Sequence, residues 1–284
     1  MPRSDSGGVG RVEQIQQKPR NFWVWSVVRA AYEDSWRAVR AMPGLVFATF
    51  VLLFLILAVR SALGLEPDQF FRQISLADRL ALSSAAQPFL LAIALATISL
   101  QIAVHRYVLC DQRSSVYSTL LQRRQFWDYT AFIIVFKLLS FGIFYINFIG
   151  IVTLSPLLGV FLIYFEYRFS PLLTAIAIGD ERHISYFFRL SKGRFWKIFL
   201  VFLFCSTPSS ILFFVPGAVV SYLDTGQLVM GIFAVFLYAT SALVTCIVTT
   251  AAASHIYRAL EHPSPPPIPK LELDKMATVE LATS

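Results

Sequence analysis

The sequence is poor in charged residues, which occupy only 14% of its 284 positions. Soluble domains usually contain about 25% charged residues. Hydrophobic residues make up 56% of the chain, and a soluble fold of this length could not withdraw so much apolar surface from water. Because a lipid bilayer can cover that surface, the composition predicts an all-α membrane protein.

Cysteine and catalytic motifs are also scarce. The three cysteines, Cys110, Cys205 and Cys246, are scattered and form no CxxC pair, so neither a disulfide framework nor a zinc site is expected. The Walker A, GxGxxG, HExxH and GxSxG motifs do not occur either. We therefore expect a protein that is not an enzyme and that carries no cofactor.

Six apolar runs predict six transmembrane helices, because the length of each is close to the ~20 residues that a helix needs to cross ~30 Å of hydrocarbon. They cover residues 43–62, 85–104, 129–147, 149–167, 197–221 and 228–254. The third and fourth runs almost touch, so residues 138–167 also allow one span plus a re-entrant segment, which gives five crossings. No cleavable signal peptide is expected, and we expect the first run to act as an uncleaved anchor.

The basic residues favour six crossings over five. Four segments, 1–42, 105–128, 168–197 and the tail from Arg258, hold 20 of the 24 Lys and Arg residues. Six crossings put all four on one side, whereas five would move the 168–197 segment and its six positive charges to the other side. Since cytoplasmic segments are enriched in Lys and Arg, we expect both termini in the cytoplasm.

The expected organisation has three parts. A disordered cytoplasmic tail covers residues 1–21, a six-helix membrane domain covers 22–260, and a Pro-rich disordered tail covers 261–284. The net charge of +7 borders apolar runs, so the expected partners are membrane lipids, anionic ones above all, and not nucleic acid. A membrane-protein partner stays open.

Amphipathic segments precede the odd-numbered spans, and we expect them to lie in the cytoplasmic membrane interface. In residues 22–42 the apolar face comprises Trp25, Val28, Tyr32, Trp36 and Val39. In residues 180–196 a face with Phe187 and Phe188 is expected to enter the membrane at headgroup depth, opposite a basic face. The basic residues expected to contact lipid headgroups are Arg106, Arg123, Arg124, Arg168, Arg182, Arg189, Lys192 and Arg194.

The even-numbered spans end alike, in AVHRY, FEYRF and SHIYR, which puts Arg106, Arg168 and Arg258 at one boundary. Two further stretches, YSTLLQRRQFW and YFFRLSKGRFW, lie 69 residues apart and each precede a span. Two interpretations stay open. The pattern reflects three repeats of an interfacial helix and a hairpin, or the general enrichment of Arg and Trp at membrane boundaries.

A polar site inside the membrane is predicted around Lys137. This residue lies eight positions past Tyr129, ~12 Å along a helix, where an ionisable group indicates either function or a snorkelling lysine with a structural partner. Glu166 is the expected counter-ion, and Gln101 and His105 complete the site. A metal site would need convergence that the sequence does not display, and none is expected.

Two features of the last spans have structural interpretations. Thr207-Pro208 and Pro216-Gly217 interrupt the fifth span, and we favour a kink over the broken helix of a transporter. Ser241, Thr245 and Thr249 recur at i,i+4 in the sixth span, which indicates a helix-packing seam, with a polar conduit as the alternative.

Residues 167–199, YRFSPLLTAIAIGDERHISYFFRLSKGRFWKIF, contain an Arg at a span end, then a proline, then an [ST]-[KR]-G-x-[FW]-W-like element. The matching residues are Arg168, Pro171, Ser191, Lys192, Gly193, Phe195 and Trp196. This pattern resembles the six-helix membrane domain of some bacterial glycerophosphodiester phosphodiesterases and related stand-alone inner-membrane proteins of unknown function. The resemblance implies a six-helix architecture over about residues 22–260 and a bacterial inner-membrane location.

The same resemblance does not carry over catalysis. Those phosphodiesterases hold their chemistry in a separate soluble barrel, and about 25 residues follow the last predicted span here, too few for such a domain. Three functions stay open: a non-enzymatic membrane accessory that binds lipids or a partner, a small transporter or channel that uses Lys137 and Glu166, and, ranked last, a membrane-embedded enzyme that acts on lipids.

Overall fold

The computed structural model describes residues 24–65, 76–114, 123–148, 155–180, 184–223 and 228–261. Within these ranges the chain forms helices and no strand, which confirms the all-α prediction. The eight helices are α1 (Val24–Ala41), α2 (Pro43–Ala62), α3 (Leu76–Cys110), α4 (Arg123–Phe148), α5 (Ser155–Ile178), α6 (Ile184–Leu190), α7 (Phe195–Leu223) and α8 (Leu228–Glu261). The predicted tail 1–21, and the predicted tail 261–284 beyond its first residue, lie outside the described residues.

Among the described residues, four helices are long and apolar enough to cross a membrane, which indicates a membrane protein. The qualifying stretches are Pro43–Ala62, Ala85–Cys110, Gly159–Ile178 and Gly231–Glu261, and Phe195–Ile211 is a shorter apolar stretch. The first prediction, 43–62, coincides with α2. The fourth predicted span, 149–167, ends too early. Helix α5 continues past Arg168 to Ile178.

The central helix of the bundle is α8, which packs on α1, α2, α3, α5 and α7. Such crowding requires small side chains where neighbouring backbones approach. Three consecutive residues, Ala251, Ala252 and Ala253, are buried, and Ser254 is fully buried beside them. This run of small residues lets several helices approach one turn of α8.

Within the predicted packing seam on α8, Ser241 is the residue that forms a hydrogen bond to α7. Ser241 donates a 2.6 Å hydrogen bond to the carbonyl of Ser209 in α7, whereas Thr245 and Thr249 donate to carbonyls of their own helix. Helix α7 continues through Pro208 without a break, which disfavours the broken helix of a transporter at this residue.

Helix α1 packs on α7 and α8 through the buried residues Val27, Val28, Ala31, Ser35 and Ala38. Two polar contacts reinforce this packing. The Tyr32 hydroxyl donates to the carbonyl of Cys205 at 3.1 Å, and burial raises the pKa of Tyr32. Asp34 Oδ2 lies 3.0 Å from Nε2 of His255. Helix α1 is therefore attached to the bundle along one face.

Helix α6 also packs against protein, which corrects the expectation that its Phe face enters lipid. Phe187 is only 1% exposed and clusters with Leu172, Ala175 and Tyr257. Phe188 lies edge-on to Phe169, with ring centroids 4.8 Å apart. Because α5 and α8 cover this face, the opposite face of α6 is the one that can contact lipid or water.

The three boundary arginines each bond to the last turn of another helix. Arg106 Nε donates to the carbonyl of Ala177 in α5 at 2.9 Å. Arg168 Nη2 donates to that of Phe188 in α6 at 3.1 Å, and Arg258 Nη2 to that of Val108 in α3 at 2.5 Å. Such carbonyls lack an intrahelical partner and form the negative end of the helix dipole. The arginines therefore link α8 to α3, α3 to α5, and α5 to α6.

The end of α5 depends on Gly179, whose φ of +80° lies in the left-handed region. Its turn is closed by a hydrogen bond from the Asp180 N–H to the Ala175 carbonyl at 2.9 Å, as in a Schellman motif. The side chain of Gln125, which also accepts a hydrogen bond from Arg106, covers Gly179 closely, so an added Cβ would clash with Nε2 of Gln125. Gly193, which ends the α6 turn with a φ of +75°, has open space around it.

We therefore expect Gly179→Ala to be more damaging than Gly193→Ala. Both substitutions place a Cβ in the left-handed region, at a cost of about 1–2 kcal/mol each. Only Gly179→Ala must also displace Gln125 and disturb the hydrogen bond that it accepts from Arg106, so its loss should be larger by about 0.5–1.5 kcal/mol. Unfolding of both variants in one detergent measures the difference, and equal losses would contradict the close packing at Gly179.

Candidate functional site

A partly open cavity of about 640 Å³ lies among α3, α4, α5 and α8. Its volume falls within the range of about 300–1,000 Å³ that is usual for small-molecule sites. Helix α4 packs on α3 and α5, while Thr249, Thr250 and Ala253 of α8 form part of the opposite wall. All four residues of the predicted polar site, Gln101, His105, Lys137 and Glu166, line this one cavity.

One end of the cavity carries a hydrogen-bonded network around Gln101. The Tyr129 hydroxyl donates to Gln101 Oε1 at 2.8 Å, and Gln101 Nε2 donates to Thr97 Oγ1 at 3.1 Å. Thr97 in turn donates to the carbonyl of Ala94 at 2.9 Å. Both ends of the Gln101 amide therefore have a partner, which fixes its orientation.

His105 belongs to the same end of the cavity and is 2% exposed. Its Nδ1 lies 2.8 Å from Ser254 Oγ, and that hydroxyl donates to the carbonyl of Thr250 at 3.1 Å. Because a serine hydroxyl has a single proton, Ser254 accepts from Nδ1–H of His105. This network places a proton on Nδ1 of His105.

Lys137 and Glu166 contribute the full charges among the described residues that line the cavity. Lys137 is half-buried, and Glu166 is more exposed. The expected ion pair between them is not formed, and neither charge has an ion-pair partner among the described residues. The two charges therefore share a cavity without neutralising each other.

The remaining wall of the cavity is apolar. Along α3 the lining runs from Gln87 to His105, a distance of ~27 Å at helical rise. Large apolar residues of α3 and α4 form this wall: Leu90, Leu91, Ile93, Ile133, Leu138 and Phe141. The cavity thus combines a long apolar surface with a few polar groups, as small-molecule sites do.

Some residues that line the cavity escape sequence reasoning. Tyr129, Ser170 and Thr250 line the cavity, but hydroxyl groups are common in membrane helices, where they bond to their own backbone. Thr249 belonged to a recognisable i,i+4 stripe, yet its spacing does not reveal which neighbour it faces.

The histidines do not converge on one site. His105 lines the cavity, whereas His255 contacts Asp34 of α1. Among the described residues, no group of three His, Cys, Asp or Glu side chains is placed to hold a metal ion.

The basic residues expected to contact lipid headgroups differ in how exposed their side chains are. Arg124, Arg189 and Lys192 are exposed, and Arg194 is half-buried. Arg168 is half-buried over the ring of Phe188, at 5.1 Å. The side chains of Arg123 and Arg182 lie outside the described residues.

The expectation that Arg106 contacts a lipid headgroup is wrong. Arg106 is only 5% exposed, and it donates hydrogen bonds to Ala177 and Gln125 inside the bundle. Arg106 therefore joins helices and does not contact lipid headgroups.

Comparisons with protein-family models, with curated proteins and with solved structures yield no match. The function is therefore argued from the geometry of this cavity and its surroundings.

We expect Arg106→Met to destabilise the fold by about 1–3 kcal/mol, because it leaves buried partners of a charged hydrogen bond unsatisfied. Arg124→Met is the matched control, since Arg124 is exposed at the start of α4 and should change stability by less than about 0.5 kcal/mol. Unfolding in detergent measures both. Equal effects would contradict the bridging role of Arg106.

Proposed function

We propose that this chain is a non-enzymatic membrane protein that binds a small amphipathic molecule in the cavity among α3, α4, α5 and α8. The observation that carries the proposal is the presence of Gln101, His105, Lys137 and Glu166 on one cavity with apolar walls. Charges without an ion-pair partner are costly inside a membrane, and a bound polar group at the cavity would offset that cost.

The proposal includes six crossings, formed by α2, α3, α4, α5, α7 and α8. Helices α4 and α7 have 26 and 29 residues, or ~39 and ~43 Å at helical rise, more than the ~30 Å of hydrocarbon. Hydrogen bonds join the last turns of α3 and α5 to Arg258 and Arg106, which supports a common side for these ends. The basic residues favour the cytoplasm for that side.

A labelling experiment distinguishes six crossings from five. In a chain without Cys110, Cys205 and Cys246, single cysteines replace Gln112, Lys192 or Leu63, all of which are exposed. We expect a membrane-impermeant maleimide to label Gln112→Cys and Lys192→Cys from the same side of the membrane and Leu63→Cys from the other. Labelling of Lys192→Cys together with Leu63→Cys would support five crossings.

Anionic lipids are the proposed partners of the surface next to these helix ends. Trp25, Trp36 and Trp196 are exposed, and Arg40 lies over the ring of Trp36 at 4.7 Å. Exposed tryptophans beside basic residues are typical of the membrane interface, where each Lys or Arg adds about 1 kcal/mol of attraction to anionic lipids. In this proposal α1 and α6 are interfacial helices that also pack on the bundle.

Transport is the second candidate function. The observation that favours it is the length of the cavity along α3, ~27 Å at helical rise and so close to the thickness of the hydrocarbon. A transporter would move the bound molecule along this surface, past Lys137 and Glu166. Uptake of a co-purifying molecule into proteoliposomes, abolished by Lys137→Met, would favour transport over simple binding.

The cavity itself is tested by filling it. Ala94 lines the cavity, so Ala94→Phe should occupy the space and reduce the amount of co-purifying small molecule at least about tenfold, as for a ligand that loses its apolar contacts. The control is Ala48→Phe, an exposed position on α2. Mass spectrometry of molecules extracted from each purified protein measures the effect, and thermal unfolding verifies that the variants fold. Equal amounts in all three proteins would overturn the proposal.

A further inference from the structure

The two charges on the cavity indicate what kind of molecule it holds. Lys137 and Glu166 line the same space, do not pair with each other, and have no ion-pair partner among the described residues. A charge at membrane depth is stable only when it is paired, hydrogen-bonded or in contact with water. The bound molecule is therefore expected to supply what the surrounding side chains do not.

Several other polar groups of the cavity already have partners. The Gln101 amide is bonded at both ends, and the Tyr129 hydroxyl donates to it. His105 uses Nδ1 on Ser254. The charged groups of the described lining are the ammonium group of Lys137 and the carboxylate of Glu166, and their charges sum to zero.

We propose that the ligand is a zwitterion with an apolar body. Its carboxylate or phosphate group binds the ammonium of Lys137, its own ammonium group binds Glu166, and its apolar body lies along Leu90 and Leu91 of α3. This inference rests on the proposed function, because it assigns a ligand class to the same cavity. A singly charged molecule would satisfy one of the two side chains and be repelled by the other, and a neutral one would satisfy neither.

Two sources offer this chemistry. A lipid with an ethanolamine phosphate headgroup carries both charges next to an acyl chain, and a free apolar amino acid carries them next to its side chain. The shared recognition is one anionic group on Lys137 and one ammonium group on Glu166. The partly open cavity has room in principle for either source, so the experiment includes both.

The experiment compares matched probes on the detergent-purified full chain. The lipid series is lysophosphatidylethanolamine against lysophosphatidic acid with the same acyl chain. The soluble series is phenylalanine against 3-phenylpropionate and 2-phenylethylamine. Dissociation constants are measured for the natural chain, for Lys137→Gln and Glu166→Gln, and for Lys192→Gln as an exposed control.

We expect a zwitterion from one series to bind more tightly than its singly charged analogues. Each of Lys137→Gln and Glu166→Gln should weaken that binding at least about tenfold, because each removes one charged hydrogen bond. Lys192→Gln should leave the dissociation constant unchanged. Thermal unfolding of all variants without ligand verifies that the losses reflect binding.

The direction of the two changes decides the outcome. Weaker binding in Lys137→Gln with tighter binding in Glu166→Gln identifies a singly charged anion, and the reverse pattern a cation, so either result overturns the zwitterion. Failure of both zwitterions to bind overturns it as well. If Ala94→Phe nevertheless displaces a co-purifying molecule, the cavity still functions and only its ligand class is wrong. If Ala94→Phe displaces nothing, the proposed function fails too.

Discussion

The bundle depends on satisfying helix-end carbonyls where helices terminate against protein instead of water. A carbonyl that is buried in protein without a hydrogen bond costs about 1–3 kcal/mol, and the last turn of every helix contains such groups. Arg106, Arg168 and Arg258 each donate to one of them on a neighbouring helix. The resulting chain of contacts, from α8 through α3 and α5 to α6, holds these helix ends together at the polar end of the cavity.

The cavity follows from how the helices share the centre of the bundle. Small residues near Ser254 let α8 contact five other helices, whereas α4 packs on α3 and α5. The space left between α4 and α8 exposes Lys137 on one wall and Thr249 and Thr250 on another. A site between helices with a few polar groups and long apolar walls matches the general physics of ligand binding in helical bundles.

Much of the architecture was predictable, because the transfer of apolar helices into lipid depends on local composition and length. The all-α class and the span at 43–62 follow from that alone. The shared environment of Gln101, His105, Lys137 and Glu166 was also predictable, since polar residues in membrane helices tend to face one another and not the lipid. The predicted ion pair between Lys137 and Glu166 is not formed, because spacing along two helices does not determine the distance between their side chains.

The sequence by itself determined which segments are apolar helices, where basic residues border them, and which few polar residues lie within them. Only the tertiary structure decided which partners the side chains of those residues contact. Arg106 bonds to α5 and not to a headgroup, and Phe187 packs on α5 and α8 and not in lipid. The reason is physical: an amphipathic pattern shows which face avoids water, but lipid and protein are equally apolar partners for that face. The choice between them depends on which neighbouring helix presents a complementary surface.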